Sequence, residues 1–192
     1  MTVQGGVPTT LVMDGETAAR TLRRLAHEIV ERHPQTDDLV LVAVRGGGVP
    51  IARALADALA RLGHPALRCA LLDVRDYRDD IPRPTQPDGN ALTGLDGDGA
   101  AAPLIGGAAV ILVDDVVQTG RTLRAALDCL SAWGRPATVE PCVLIDRGQR
   151  ELPIRPSFVG KNIPAAADDW VQVMLDVGTA AEAPGVFLVK RT

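Results

Sequence analysis

Aromatic side chains are almost missing from this chain: they make up 3% of its 192 residues. A core built without rings must be filled by Ala, Val, Leu and Ile. Such aliphatic runs suit parallel strands covered by helices on both faces. No apolar stretch approaches the ~20 residues that a membrane helix needs. No basic-then-apolar segment opens the chain as a secretory signal would. A cytoplasmic protein with no membrane segment is expected. Cysteine is scarce too. Cys69, Cys129 and Cys142 stand far apart and without metal-ligand spacing, which argues against a disulfide framework or a cysteine-built metal site. Each reads as a small buried hydrophobe. Positive charge is not in excess. A formal net charge of −4 argues against nonspecific binding of nucleic acid, yet leaves room for a local basic patch.

What is present is apolar sequence, 46% of the chain, enough to bury a substantial core in a domain of ordinary size. Residues 9–192 read as one domain and residues 1–8 as a flexible terminus. Asp14 precedes an amphipathic helix over residues 17–32. Leu22, Leu25, Ile29 and Val30 recur there at helical spacing, and Arg20, Arg23, Arg24, His27 and Arg32 occupy the other surfaces. His33-Pro34 ends that helix. Leu39–Val44 reads as a buried strand, Gly46-Gly47-Gly48 as a tight loop, 49–62 as a helix stopped by Gly63, and 67–74 as a second strand. Residues 75–107 carry charge, Pro and Gly with almost no periodicity, and are too long for a passive connector. Residues 110–113 form the most apolar strand, expected at the centre. A helix over 122–133, a strand over 137–145 and short strands near 158–159, 171–175 and 186–189 complete the pattern. Strand and helix alternate, so a doubly wound α/β domain with a mainly parallel sheet is predicted. Its ligand should sit at the carboxyl ends of the strands.

The chemistry concentrates in Val110-Ile111-Leu112-Val113-Asp114-Asp115-Val116-Val117-Gln118-Thr119-Gly120-Arg121-Thr122. The strand delivers two carboxylates to its carboxyl end. Thr119, Gly120 and Thr122 follow where backbone N–H groups and hydroxyls converge at a helix N-terminus. Unpaired N–H groups and the helix dipole favour an anion such as phosphate there, and Gly120 permits close approach. Paired carboxylates can accept hydrogen bonds from two vicinal hydroxyls, and they favour positive charge building on a ribose ring as its C1 bond breaks. A helix cap beside a solvated acid, or the acidic pocket of a phosphoryl-transfer domain, would also place an Asp pair after a strand. A nucleotide P-loop is excluded, because its Gly-Lys-Ser/Thr ending is missing.

This segment resembles the phosphoribosyl pyrophosphate (PRPP) signature of type I phosphoribosyltransferases. Leu71-Leu72-Asp73-Val74-Arg75-Asp76-Tyr77-Arg78-Asp79-Asp80 resembles the Tyr-Arg-Asp-Asp loop of one branch. Asp146-Arg147-Gly148-Gln149-Arg150-Glu151-Leu152-Pro153 and Gly160-Lys161-Asn162-Ile163-Pro164 resemble its C-terminal motifs. With Ala26-His27-Glu28 and Glu31-Arg32, these stretches are similar to the PyrR family over residues 14–175. Members of that family regulate pyrimidine operons by binding mRNA, and many are uracil phosphoribosyltransferases.

The resemblance implies the type I phosphoribosyltransferase fold, with a long mobile loop over the site. It implies formation of UMP and pyrophosphate from uracil and PRPP, with Mg²⁺ carried on the pyrophosphate and no metal held directly by the protein. Asp114 and Asp115 would hold the ribose hydroxyls, and Thr119, Gly120, Arg121 and Thr122, flanked by Val116 and Gln118, the 5-phosphate. Arg45, Gly46 and Gly47 would approach the pyrophosphate, and Arg78 would close over it. Asp146, Arg147 and Val171 would flank uracil. Arg24, His27, Arg32, Gln149, Arg150, Arg155 and Lys161 would contact the mRNA leader of pyrimidine genes. UMP or UTP would be the effector, and a homodimer or larger assembly is implied. The chain departs from the family pattern at Arg45-Gly46-Gly47-Gly48, where a Lys followed by Thr-Arg-Gly is usual. It also departs at Val117-Gln118, where a Leu-Tyr pair is usual, at Gln149, where the family has His, and at the charged Arg75-Asp76. Two further readings stay open: an RNA-binding regulator with weakened catalysis, and a phosphoribosyltransferase for another base.

Overall fold

Leu39–Val44 is apolar at every position and wholly buried, but its side chains divide between two cores. Leu39, Leu41 and Ala43 enter one, and Val40, Val42 and Val44 enter the other. A strand covered on both faces shows no polar alternation, and the rest of the architecture explains the cover. The computed structural model describes residues 2–4, 7–34, 37–65, 67–79, 91–95, 105–166, 168–175 and 183–190. In chain order these form β1 (Thr2–Gln4), β2 (Val7–Asp14), α1 (Gly15–Arg32), β3 (Leu39–Val44), α2 (Gly48–Arg61), β4 (Arg68–Leu72), a 3-10 turn (Arg75–Tyr77), β5 (Leu92–Gly94), β6 (Ala109–Val117), α3 (Arg121–Trp133), β7 (Thr138–Asp146), β8 (Phe158–Asn162), β9 (Trp170–Met174) and β10 (Gly185–Val189).

The main sheet has the order β5-β4-β3-β6-β7-β8 and is parallel except for β5. On one face, Leu22, Leu25 and Ile29 of α1 and Ile51, Leu55 and Leu59 of α2 pack on Ile111, Val113 and Leu144. On the other, Leu123, Ala126, Cys129 and Leu130 of α3 pack on Val110, Leu112 and Val143. The fold is thus the expected doubly wound α/β domain with a mainly parallel sheet. Asp14 caps α1, its Oδ1 accepting from the Thr17 N–H at 2.7 Å. That bond satisfies one of the free donors at the helix start. No helix among the described residues is long and apolar enough to cross a membrane.

The structure adds a second sheet, antiparallel and ordered β1-β2-β10-β9, that the sequence pattern did not reveal. Val171 and Val173 of β9 and Val186 of β10 turn inward onto the α1/α2 core, and β9 reaches β6. The segment read as a flexible terminus contains β1 and the start of β2, with Thr2 opposite Thr9 and Gln4 opposite Val7. Backbone ladders hold that pair, and they leave little trace in side-chain pattern. Within the stretch 75–107 lie the 3-10 turn and β5, which pairs with β4 from Leu72↔Leu92 to Ala70↔Gly94. Asp80, and with it most of the anticipated mobile loop, lies outside the described residues.

Candidate active site

Strand β6 outruns one of its neighbours. It pairs with β3 as far as Val113, opposite Ala43, but with β7 as far as Val117, opposite Asp146. Its carboxylates therefore stand where β3 has already turned away toward α2. The chain leaves β3 for one face of the sheet and leaves β6 for the other. Such a switch point opens a crevice at the carboxyl ends of the strands. Here the crevice is a cleft of ≈ 400 Å³, walled by Arg45, Gly47, Asp73, Arg75, Asp114 and Asp115 among others.

Asp114 is buried, and its Oδ1 accepts the Asp115 N–H at 3.0 Å. Asp115 Oδ1 in turn accepts the Val116 N–H at 2.8 Å. Burial first, and the charge of Asp115 second, push the Asp114 carboxyl well above the usual carboxylate range. A ligand that brings hydroxyl donors or positive charge relieves both effects. Against this pair lies the glycine loop. A Cβ built on Gly47 would stand 2.0 Å from Asp115 Oδ2, so any side chain there would force Asp115 or the loop to shift.

Beside the pair, Asp73 is anchored between two guanidiniums. Its Oδ2 lies 2.9 Å from Arg45 Nε and 2.7 Å from Arg75 Nη2, and Arg75 Nε reaches both carboxylate oxygens at 3.0 Å. Burial alone would raise the Asp73 carboxyl, but hydrogen bonds and charge from Arg75, with the charge of Arg45, outweigh it and hold the group below its usual range. Asp73 was not among the residues singled out from sequence. The available signal was its place at the carboxyl end of a strand two residues before an unusual Arg.

Arg78 lines this cleft and also a neighbouring pocket of ≈ 110 Å³ with Asp79, Thr119, Arg121 and Thr122. Thr119, Arg121 and Thr122 of the expected phosphate segment thus share one pocket. Gly120 has φ +89°, a left-handed conformation that suits glycine, and it turns the chain from β6 into the first turn of α3. The loop is strapped from behind. Both the Glu151 and Leu152 N–H groups donate to Thr119 O at 3.0 Å, and Gln118 Nε2 donates to Gln149 Oε1 at 3.3 Å. Arg121 is held between Glu151 and Asp79, at 2.6 Å from each.

The expected base and RNA residues divide. Asp146, at the end of β7, accepts from the Gly148 N–H at 2.9 Å and from Arg150 Nη2 at 2.6 Å. Arg147 is buried, with 4% exposure. It donates to Ala166 O at 2.9 Å, and its Nε finds no partner among the described residues. Val171 packs with Val116 on one cluster. Arg150 turns inward, donating to Ile154 O and Gln118 O at 2.8 Å each as well as to Asp146. Its guanidinium shapes the loop that the sequence reading treated as an RNA contact. Gln149 is likewise tied, donating to Ala165 O at 2.7 Å, with φ +60°. The other basic residues gather along β8. Arg24 donates to Val159 O at 3.0 Å and Gly160 O at 2.7 Å, and Lys161 donates to Val12 O at 3.1 Å. Arg32 lies 4.7 Å over the Phe158 ring and pairs with Glu140 at 2.8 Å. His27 and Arg155 are exposed.

A crevice at the switch point, a carboxylate pair at the end of β6 and a glycine turn into α3 beside it give the layout of a phosphoribosyltransferase-type protein. The phosphoribosyl transferase domain family matches residues 10–179. A hypoxanthine phosphoribosyltransferase of Trypanosoma cruzi shares the fold, with a TM-score of 0.68 and 22% identity over 95% of this chain and 97% of that one. The chain belongs to the PyrR family. It is 48% identical to a bifunctional protein PyrR of Streptomyces coelicolor over 85% of this chain and 82% of that protein. It is 45% identical to another of Herpetosiphon aurantiacus over 89% and 92%.

Proposed function

We propose that this protein transfers a phosphoribosyl group from PRPP to uracil, giving UMP and pyrophosphate, and that it binds the leader of pyrimidine mRNA in response to UMP or UTP. The observation that carries the enzymatic half is the placement of Asp114, Asp115 and the loop Thr119–Thr122 on one strand-to-helix turn. In this reading that loop fixes the 5-phosphate and the two carboxylates hold the ribose hydroxyls. Arg45 and Arg78 meet the pyrophosphate, and Arg78 closes over it to exclude water. No covalent nucleophile is required. Holding both substrates in line and favouring the positive charge of an oxocarbenium-like transition state supply the rate.

PRPP carries Mg²⁺ on its pyrophosphate, where the ion offsets negative charge. The cleft fits that complex: Arg45 and Arg78 offer cations to the phosphates, and the Asp114–Asp115 pair lines the same cleft as negative charge beside the ion. Uracil would bind beside the carboxyl end of β7, under β9, in reach of backbone groups near Val171. Asp146 and Arg147 then act mainly by holding the walls there. The resemblance to the PyrR family supports a homo-oligomer acting in the cytoplasm.

The test is UMP formation from uracil, PRPP and Mg²⁺ by the purified chain, with hypoxanthine and guanine as competitors. Turnover with uracil is the expected result. A preference for a purine would overturn the pyrimidine reading. A second reading, a regulator with weakened catalysis, is favoured by one observation: Gly47 offers no side chain to the pyrophosphate. Binding of UMP without turnover would establish it.

The proposed RNA face runs along α1 and β8 through Arg24, His27, Arg32, Arg155 and Lys161, with Arg150 and Gln149 shaping the adjoining loop. Exposed cations facing an RNA strand act by displacing counterions. Replacing Arg155 and Lys161 together by Ala should weaken leader binding and lower the salt slope by about 1.4, the share of two phosphate contacts on a single strand. Filter binding at several salt concentrations measures it, and an unchanged slope would move the RNA face elsewhere.

A further inference from the structure

The pocket beside Thr119 already holds an anion. We infer that Asp79 is a built-in competitor for the 5-phosphate: its carboxylate takes the place of a ligand anion on Arg121, and a phosphorylated ligand displaces it in order to bind. The inference rests on the reading of Thr119–Thr122 as the phosphate site, and it deepens that reading.

Three observations carry it. First, Asp79 stands in the pocket itself. It forms the wall together with Arg78, Thr119, Arg121 and Thr122, and its Oδ2 accepts from Arg121 Nη1 at 2.6 Å. Glu151 also accepts from Arg121, at 2.6 Å from Nε, but it does not line the pocket. One guanidinium thus carries two acids, and only Asp79 faces the space a phosphate would fill. A phosphate entering beside Thr119 would meet that charge at close range, where like charges repel.

Second, the carboxylate is held by side-chain charge and by little else. Asp79 belongs to no strand or helix. Its other cationic neighbour, Arg124, comes only to 3.8 Å through Nε, beyond hydrogen-bond reach. Arg124 is anchored elsewhere, to Asp128 at 2.7 Å and to the Tyr77 carbonyl at 2.9 Å. Arg121 and Asp79 are 47% and 37% exposed, so solvent screens their attraction. Departure of the carboxylate costs little.

Third, the chain is fixed just behind it. Tyr77 ends the 3-10 turn and is buried in the α3-side core. Asp79 follows two residues later, so its side chain can leave the pocket while the turn stays in place.

Only the fraction of molecules with Asp79 out of the pocket binds phosphate, and the apparent affinity falls by that fraction. The competitor therefore weakens PRPP and UMP alike and leaves a ligand without phosphate untouched.

The experiment compares the wild-type chain with Asp79→Asn and Asp79→Glu by calorimetric titration with UMP and, separately, with uridine. Asp79→Asn keeps the size of the side chain and removes its charge. It should tighten UMP binding about fivefold (about 1 kcal/mol), the upper end for an exposed ion pair, and leave uridine binding unchanged. Asp79→Glu, which keeps the charge, should stay near wild type. In turnover, the KM for PRPP should fall in Asp79→Asn while the KM for uracil holds. UMP affinity in Asp79→Asn equal to or weaker than wild type would overturn the inference, and so would an equal gain for uridine. Failure of the wild type to bind UMP at all would instead overturn the reading on which it rests.

Discussion

Asp115→Asn should lower UMP formation by about a hundredfold, the scale of removing one preorganised electrostatic contact to a charged transition state, while the thermal midpoint stays close to wild type. The fold should survive because the substitution is nearly isosteric. The bond that matters locally, from the Val116 N–H to Asp115 Oδ1 at 2.8 Å, can be accepted equally well by an amide oxygen. What disappears is the negative charge facing the ribose. The same change has a second readout. Asp114 is held above the usual carboxylate range by burial and then by the Asp115 charge. Removing that charge lets Asp114 ionise at lower pH, so any acidic limb of the rate profile that reports Asp114 should move downward. Turnover near the wild-type rate would take these carboxylates out of the mechanism.

The parts of the site that could be read from sequence are the local ones. Strand β3 and the apolar half of β6 are aliphatic runs, and only two-sided cover leaves such runs without alternation. The turn at Gly120 was legible because Thr119, Gly120 and Thr122 are adjacent in the chain. The strand end was harder. Residues 110–113 looked like the whole strand, since carboxylates resemble a loop, but β7 keeps pairing with β6 through Val117. Partners distant in sequence were invisible. Asp73 gains its meaning from Arg45, in the turn after a different strand. Arg150 was expected to contact RNA, but Asp146 and the carbonyls of Gln118 and Ile154 draw it inward. Gln118 and Gln149 each departed from the family pattern and had no evident relation, yet they bond to each other at 3.3 Å. The two substitutions therefore sit as one contact between the phosphate loop and the loop after β7. The antiparallel sheet was half legible: strands near 171–175 and 186–189 were expected and are β9 and β10, but β1 and part of β2 show no period-2 pattern strong enough to separate from coil.

Restoring a basic residue to the glycine loop should harm this enzyme rather than repair it. Gly47→Arg is expected to lower turnover by at least about tenfold and to weaken UMP binding, with a loss of stability within about 1 kcal/mol. The family pattern has Arg here, so sequence alone would forecast a gain. The structure reverses the sign. The first atom of any side chain at position 47 would lie 2.0 Å from Asp115 Oδ2 and 2.2 Å from its Cγ. The three nearest atoms all belong to the Asp115 side chain, which can move, so the fold is expected to survive. The short acidic side chain must swing aside and give up its bond to the Val116 N–H. A ribose whose hydroxyls depend on Asp115 then loses that contact in the ground state and in the transition state alike. Steady-state rates together with calorimetric UMP titration of the same variant check this. An increase in turnover with unchanged UMP affinity would mean that the loop, and not Asp115, moves to admit the side chain, and that the pyrophosphate charge can be supplied from either wall of the cleft.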